Sequence, residues 1–140
     1  MSYYEGLPIY RAAMNAALAI EGEVRSFGRF HKYQLGSRLR DLAFDCVRLV
    51  AAAQRRAGRL EALDALCDAV ADLQVSINFG REVGAFASIK RAVGVMEQVV
   101  VLARQAEGWR KSVAAQRPRV RGDSPKFQGP EPVRTGVSQP

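Results

Sequence analysis

The apolar residues Leu35, Leu39, Leu42, Cys46, Leu49 and Ala53 follow one another at steps of 4, 3, 4, 3 and 4, and no other feature constrains the fold as tightly. A series of that spacing keeps one seam of a helix apolar and leaves the opposite side polar. It predicts a helix over about residues 35 to 57, closed by Gly58, which takes positive φ without penalty.

The same reading extends in both directions. Leu63, Leu66, Val70, Leu73 and Ile77, with Cys67 beside them, predict a third helix running to about Gly84. Phe86, Ile89, Val93, Met96, Val100 and Ala103 predict a fourth that stops at Gly108. The first helix is less regular: Pro8 suits an opening turn, and Met14, Leu18 and Val24 with several alanines give a face up to about Phe27. Short connections make consecutive long helices antiparallel neighbours. The expected fold class is therefore all-α, an antiparallel up-down four-helix bundle over residues 1–111.

From Ser112 the pattern vanishes, and Pro118, Gly122, Pro125, Gly129, Pro130, Pro132, Gly136 and Pro140 interrupt any regular element. Such a segment buries too little apolar surface to offset its ordering entropy, so residues 112–140 are expected to form a disordered basic tail. Arg117, Arg119, Arg121, Lys126 and Arg134 outnumber Asp123 and Glu131 in it.

A chain of 140 residues with 48% apolar content fits one ordinary core. Its two cysteines, Cys46 and Cys67, fall inside helical patterns and read as buried thiols of a reducing cytoplasm. No window approaches the roughly 20 apolar residues that a membrane span needs, so neither a membrane nor a secreted location is expected. Seventeen of the 21 basic residues are arginine and the net charge is +7, which points to an anionic partner.

Charge is also segregated. Residues 24 to 59 hold Arg25, Arg29, Lys32, Arg38, Arg40, Arg48, Arg55, Arg56 and Arg59 against Asp41 and Asp45. Residues 60 to 82 hold Glu61, Asp64, Asp68, Asp72 and Glu82 against Arg81. On a helix at 100° per residue, Arg48, Arg55 and Arg59 cluster in a narrow arc with Arg38 and Arg56 to one side. Three readings of that stripe stay open: a solvated face, a track for a phosphate backbone, or a surface through which copies join head to tail.

Catalytic chemistry finds few components. His31 is the only histidine, so neither a di-iron bundle site nor a histidine-rich zinc site can be built, and there is no glycine-rich phosphate loop, Cys-x-x-Cys pair or serine-histidine triad. No catalytic residue, metal or cofactor is expected, and the chain reads as a binder of macromolecules, not an enzyme.

The segment Phe27-Gly28-Arg29-Phe30-His31-Lys32-Tyr33-Gln34-Leu35-Gly36, with Leu7-Pro8-Ile9-Tyr10 about twenty residues before it and Gly108-Trp109 closing the last expected helix, resembles a known family. It is similar to the four-helix bundle proteins of the accessory variability determinant type in diversity-generating retroelements, which share a fold with bundle proteins encoded in 23S ribosomal RNA intervening sequences. The likeness covers roughly residues 5 to 112. It implies a basic homopentamer that binds the element's reverse transcriptase and its template RNA or RNA/DNA hybrid, and that supports error-prone copying. The intervening-sequence relatives imply an alternative, a protein-protein adaptor without a dedicated RNA role. The proline-rich tail departs from the compact family pattern.

The expected nucleic-acid contacts are Arg29, His31 and Lys32, carried over from the loop motif, and Arg38, Arg48, Arg55, Arg56 and Arg59, from the charge analysis. The loop also has a physical reading of its own. Gly36 permits a tight entry into the second helix, Phe30 and Tyr33 cover the end of the core, and Arg29 with Lys32 sits at the rim near a positive helix N-terminus. Capping the bundle and binding an anion are compatible roles.

Overall fold

The structure, a computed structural model, describes residues 6–116. Residues 117 to 140 of the expected tail lie outside the described residues. The described chain is all-helical: α1 (Pro8–Arg25), a short α2 (Arg29–Lys32), α3 (Leu35–Ala52), α4 (Arg59–Glu82) and α5 (Ile89–Gln116). The four long helices form a bundle-like ring, α1 against α3, α3 against α4, α4 against α5, and α5 back against α1. One apolar cluster fills the ring.

Local chemistry sets the breaks. Pro8 opens α1 where its missing N–H is not needed. Gly58 and Gly84 both have φ of 74°, a conformation that costs side-chain-bearing residues. At the second of these the Ala85 N–H donates to Gly80 at 2.9 Å and the Gly84 N–H to Arg81 at 3.2 Å, a Schellman closure that turns the chain sharply out of α4. The Ser88 hydroxyl then accepts from the Arg91 N–H at 3.1 Å, satisfying one free donor of the first turn of α5.

The seam of α4 is the expected one, since Leu63, Leu66, Val70, Leu73 and Ile77 are all buried. On α3, Leu39 and Cys46 are buried, as is Ala53 at its C-cap, while Leu35, Leu42 and Leu49 pack half-buried against the core. Each fully buried leucine contributes on the order of 1.5–3 kcal/mol of transfer free energy.

Several expectations are corrected. The inward face of α5 is Ala92, Val95, Val99, Leu102 and Ala106, and Ile89 and Val93 are exposed. This helix carries valines on two sides, so spacing alone did not identify which side meets the core. Similarly, α1 buries Ile9, Ala12, Ala13, Ala16, Ile20 and Val24 and leaves Leu18 exposed, because small alanines let the neighbouring helices approach. Gly108 does not end α5, which runs on to Gln116 and takes in residues 112–116 of the expected tail. A lone glycine at roughly 1 kcal/mol relative to alanine does not stop a helix that is packed on one side.

At the α2 end the core is plugged by Phe27 against Phe86, edge to face at 5.1 Å. Phe30 and Tyr33, expected to cover this end, are 86% and 73% exposed. Gly36 does permit the close approach expected of it, since a Cβ there would stand 2.8 Å from Cγ1 of Val24. The α1–α5 seam holds a carboxylate, Glu23, one-tenth exposed, which meets Nε of Arg91 at 3.0 Å through Oε2. Its Oε1 has no hydrogen-bond partner among the described residues.

Candidate nucleic-acid interface

All the expected contact residues but Arg48 fall into two groups at opposite ends of α3, which spans about 27 Å at 1.5 Å per residue. Arg29, His31 and Lys32 lie on α2, and Arg38 follows one turn into α3. The motif therefore forms a helical turn and not an open loop. His31 stands edge-on to the Phe30 ring at 5.1 Å and lines one groove with Arg38. Arg29 and Arg38 are exposed and Lys32 is half-buried; none of the three makes an ion pair among the described residues.

Arg55, Arg56 and Arg59 are at the other end. α3 stops at Ala52, five residues before the expected limit of about 57, so Arg55 and Arg56 lie exposed in the turn that leads to Gly58. Arg59 opens α4 and points inward: Nε donates to the Ala53 carbonyl at 2.7 Å and Nη2 to the Gln54 carbonyl at 2.8 Å. Its guanidinium also lies 5.9 Å from the centre of the Trp109 ring. That placement satisfies carbonyls orphaned at the end of α3 and takes Arg59 off any outward track.

The stripe predicted along one helix arc is therefore broken. Arg48 stands alone on mid-α3 and pairs with Asp45 at 3.4 Å. Arg40, on the seam with α1, is held by Glu21 at 2.8 Å. What remains is an exposed cationic cluster at each end, suited to touching a polyanion at two places about a helix length apart.

Cations outside the expected set also flank an apolar surface. Arg81 and Arg104 border an apolar groove between α4 and α5 that contains Val93, Met96, Val100 and Val101. Val93, Met96 and Val100 belong to the apolar series that spacing assigned to the core, so the signal for this groove was present in the sequence but attached to the wrong side of α5. Around Cys67 a polar chain links α4 to α5: its thiol donates to Oε1 of Glu107 at 3.6 Å, and Arg110 bridges Glu107 at 2.7 Å and Asp64 at 3.7 Å. Partial burial pushes the Cys67 thiol up and the Glu107 carboxylate adds to it, while the Arg110 hydrogen bond holds Glu107 below the usual carboxylate range.

No group of three or more His, Cys, Asp or Glu side chains among the described residues is placed to hold a metal ion. No described helix is long and apolar enough to cross a membrane. Neither a protein-family model nor a curated protein matches this chain.

Proposed function

We propose that this chain is a non-catalytic, cytoplasmic accessory protein that binds a reverse transcriptase and its template RNA or RNA/DNA hybrid, as the proteins its Phe27–Gly36 motif resembles do. The observation that carries the reading is the set of unpaired cations. Arg29, Lys32, Arg38, Arg55 and Arg56 make no ion pair among the described residues, although Asp72 shares a groove with Arg38 and Glu61 a depression with Arg56. Cations left unpaired by their own fold neutralise phosphates and release counterions.

The reading takes the fold as an antiparallel up-down four-helix bundle. In its support, Glu21 near the end of α1 meets Arg40 near the start of α3, and Asp64 near the start of α4 meets Arg110 near the end of α5. The assembly is a closed homopentamer joined by unlike surfaces, and the exposed Val93 and Val101 beside the α4–α5 groove support self-association.

Fluorescence titration of mixed-sequence single-stranded RNA at several salt concentrations tests the reading. Binding should weaken steeply with salt, with a slope growing by about 0.7 per phosphate contacted. Arg29→Glu with Arg38→Glu, and separately Arg55→Glu with Arg56→Glu, should each reduce affinity by tenfold or more. Undiminished binding by both double variants would leave the adaptor of the intervening-sequence type as the better reading. Light scattering that returns a monomer mass at micromolar concentration would remove the pentamer.

A further inference from the structure

One stripe on the outside of α4 changes character halfway along. Glu61, Asp64, Asp68, Asp72, Val75, Phe79 and Val83 follow at steps of 3, 4, 4, 3, 4 and 4, and every one is exposed. At 100° per residue they fall within an arc of about 100°. The first four are carboxylates and the last three are apolar. Among the described residues Glu61, Asp68 and Asp72 make no ion pair, and Asp64 has only Arg110 at 3.7 Å. The apolar half faces Phe30 and Leu35 across an open groove of about 590 Å³.

The described chain ends at the start of the acidic half, where Val113 and Gln116 of α5 border one depression with Leu60 and Glu61 and with Arg56 and Arg59, so an arginine-bearing segment gains by moving on along α4 toward Asp64, Asp68 and Asp72. The residues that follow carry the complementary chemistry in the same order. Arg117, Arg119 and Arg121 come first, then Lys126 and Phe127.

We propose that residues 117–127 of this same chain occupy the α4 stripe, with the three arginines against Glu61, Asp64, Asp68 and Asp72 and with Phe127 in the groove between Phe30, Val75 and Phe79. The dimensions agree. Alternate residues of an extended chain stand about 6.6 Å apart. Helical steps of three or four residues advance about 4.5 to 6 Å. From Glu61 to Phe79 is about 27 Å along the helix, whereas eleven extended residues reach up to about 36 Å, which leaves slack for the chain to reverse after α5.

Two other occupants fit less well. A nucleic-acid backbone is repelled by four carboxylates on this face. A second copy must find it by diffusion, whereas a tethered segment is present at an effective concentration in the millimolar range. The consequence is competition. The arginines of 117–121 reach an external polyanion, and the α4 face reaches another subunit, only when the segment leaves.

The test uses the full chain with Cys67→Ser, Val75→Cys and Gln128→Cys, treated with a short bis-maleimide at low protein concentration and read by mass spectrometry. Cys46 is buried and stays unreactive. A single-chain bridge between positions 75 and 128 is expected. It should fall at least fivefold when Arg117, Arg119 and Arg121 are changed to Glu, when Phe127→Ala is introduced, or when Gln98→Cys on α5 replaces the probe at position 75. Bridges joining two chains would give the face to a second copy and overturn the proposal. So would a single-chain bridge as abundant in the triple-Glu and Phe127→Ala variants as in the parent, since the tether alone would then account for it, and so would the absence of any bridge.

Discussion

Arg59 donates its Nε–H to the carbonyl oxygen of Ala53 at 2.7 Å, so the first residue of α4 closes the last turn of α3. The six-residue interval between those two residues contains the positive-φ glycine that makes the return possible. A charged hydrogen bond of this kind contributes about 1.5–3 kcal/mol. Arg59→Ala is expected to lower stability by about that amount, and Arg59→Lys to recover only part of it, because an ammonium does not fork between two carbonyls while facing a ring. Arg55→Ala should stay within about 0.5 kcal/mol. Urea unfolding of the three variants checks this, and equal midpoints for Arg59→Ala and Arg55→Ala would show that the cap contributes nothing.

The orientation of α5 gives a second prediction. Leu102→Ala is expected to cost about 2–5 kcal/mol, as is Leu73→Ala on α4, because both side chains are wholly buried. Val93→Ala and Val101→Ala, on the exposed side, should change stability by less than about 1 kcal/mol in the monomer. Thermal melts at low protein concentration decide between the two faces, and the reverse ranking would mean that α5 is turned about its axis.

Gly36 gives a third. A methyl group there stands 2.8 Å from Val24, and the wall behind it includes Phe27 at 3.7 Å. Gly36→Ala is expected to cost about 1–3 kcal/mol through overpacking. Combining it with Val24→Ala should cost less than the sum of the two single changes, because the smaller neighbour admits the new methyl group. Strict additivity in that double-mutant cycle would rule out the clash as the cause.

A fourth concerns pH. Burial, reinforced by the nearby Asp45 carboxylate, pushes the Cys46 thiol from 9.0 up to about 12. The unfolded chain releases this proton from about pH 9 upward, while the folded chain still holds it. The stabilising contribution is therefore complete below pH 9 and is lost as pH rises toward 12. Urea midpoints should fall more steeply above about pH 9 in the parent than in Cys46→Ala. Parallel pH curves for the two proteins would mean that the thiol does not report burial.

The seams of α3 and α4 were legible because each presents a single apolar series, and the turn at Gly58 because only a glycine settles easily at positive φ. Leu63 through Ile77 are read correctly from spacing alone. The face of α5 was not legible, since Val95, Val99 and Leu102 alternate with Val93, Met96 and Val100, and sequence spacing does not rank two apolar stripes on one helix. The arginine arc failed for a different reason. It assumed a helix through residue 59, but α3 stops at Ala52 and the chain reverses, which turns Arg59 inward and separates Arg48 from Arg55. The pair formed by Glu23 and Arg91 joins residues far apart in sequence on α1 and α5, and no local pattern announces it.

Three of the four seams of the ring join helices that are consecutive among the long ones, and only α1 against α5 ties together the two ends of the described chain. Contacts local in sequence form quickly, and those between distant segments wait on the closure of the whole intervening loop. The Glu23–Arg91 pair lies on that late seam. Its loss should therefore be absent from the folding limb of a chevron plot and present in the unfolding limb, so that Arg91→Ala speeds unfolding while refolding proceeds at the parent's rate. Stopped-flow kinetics would then register this ion pair as a latch on the lifetime of the native state.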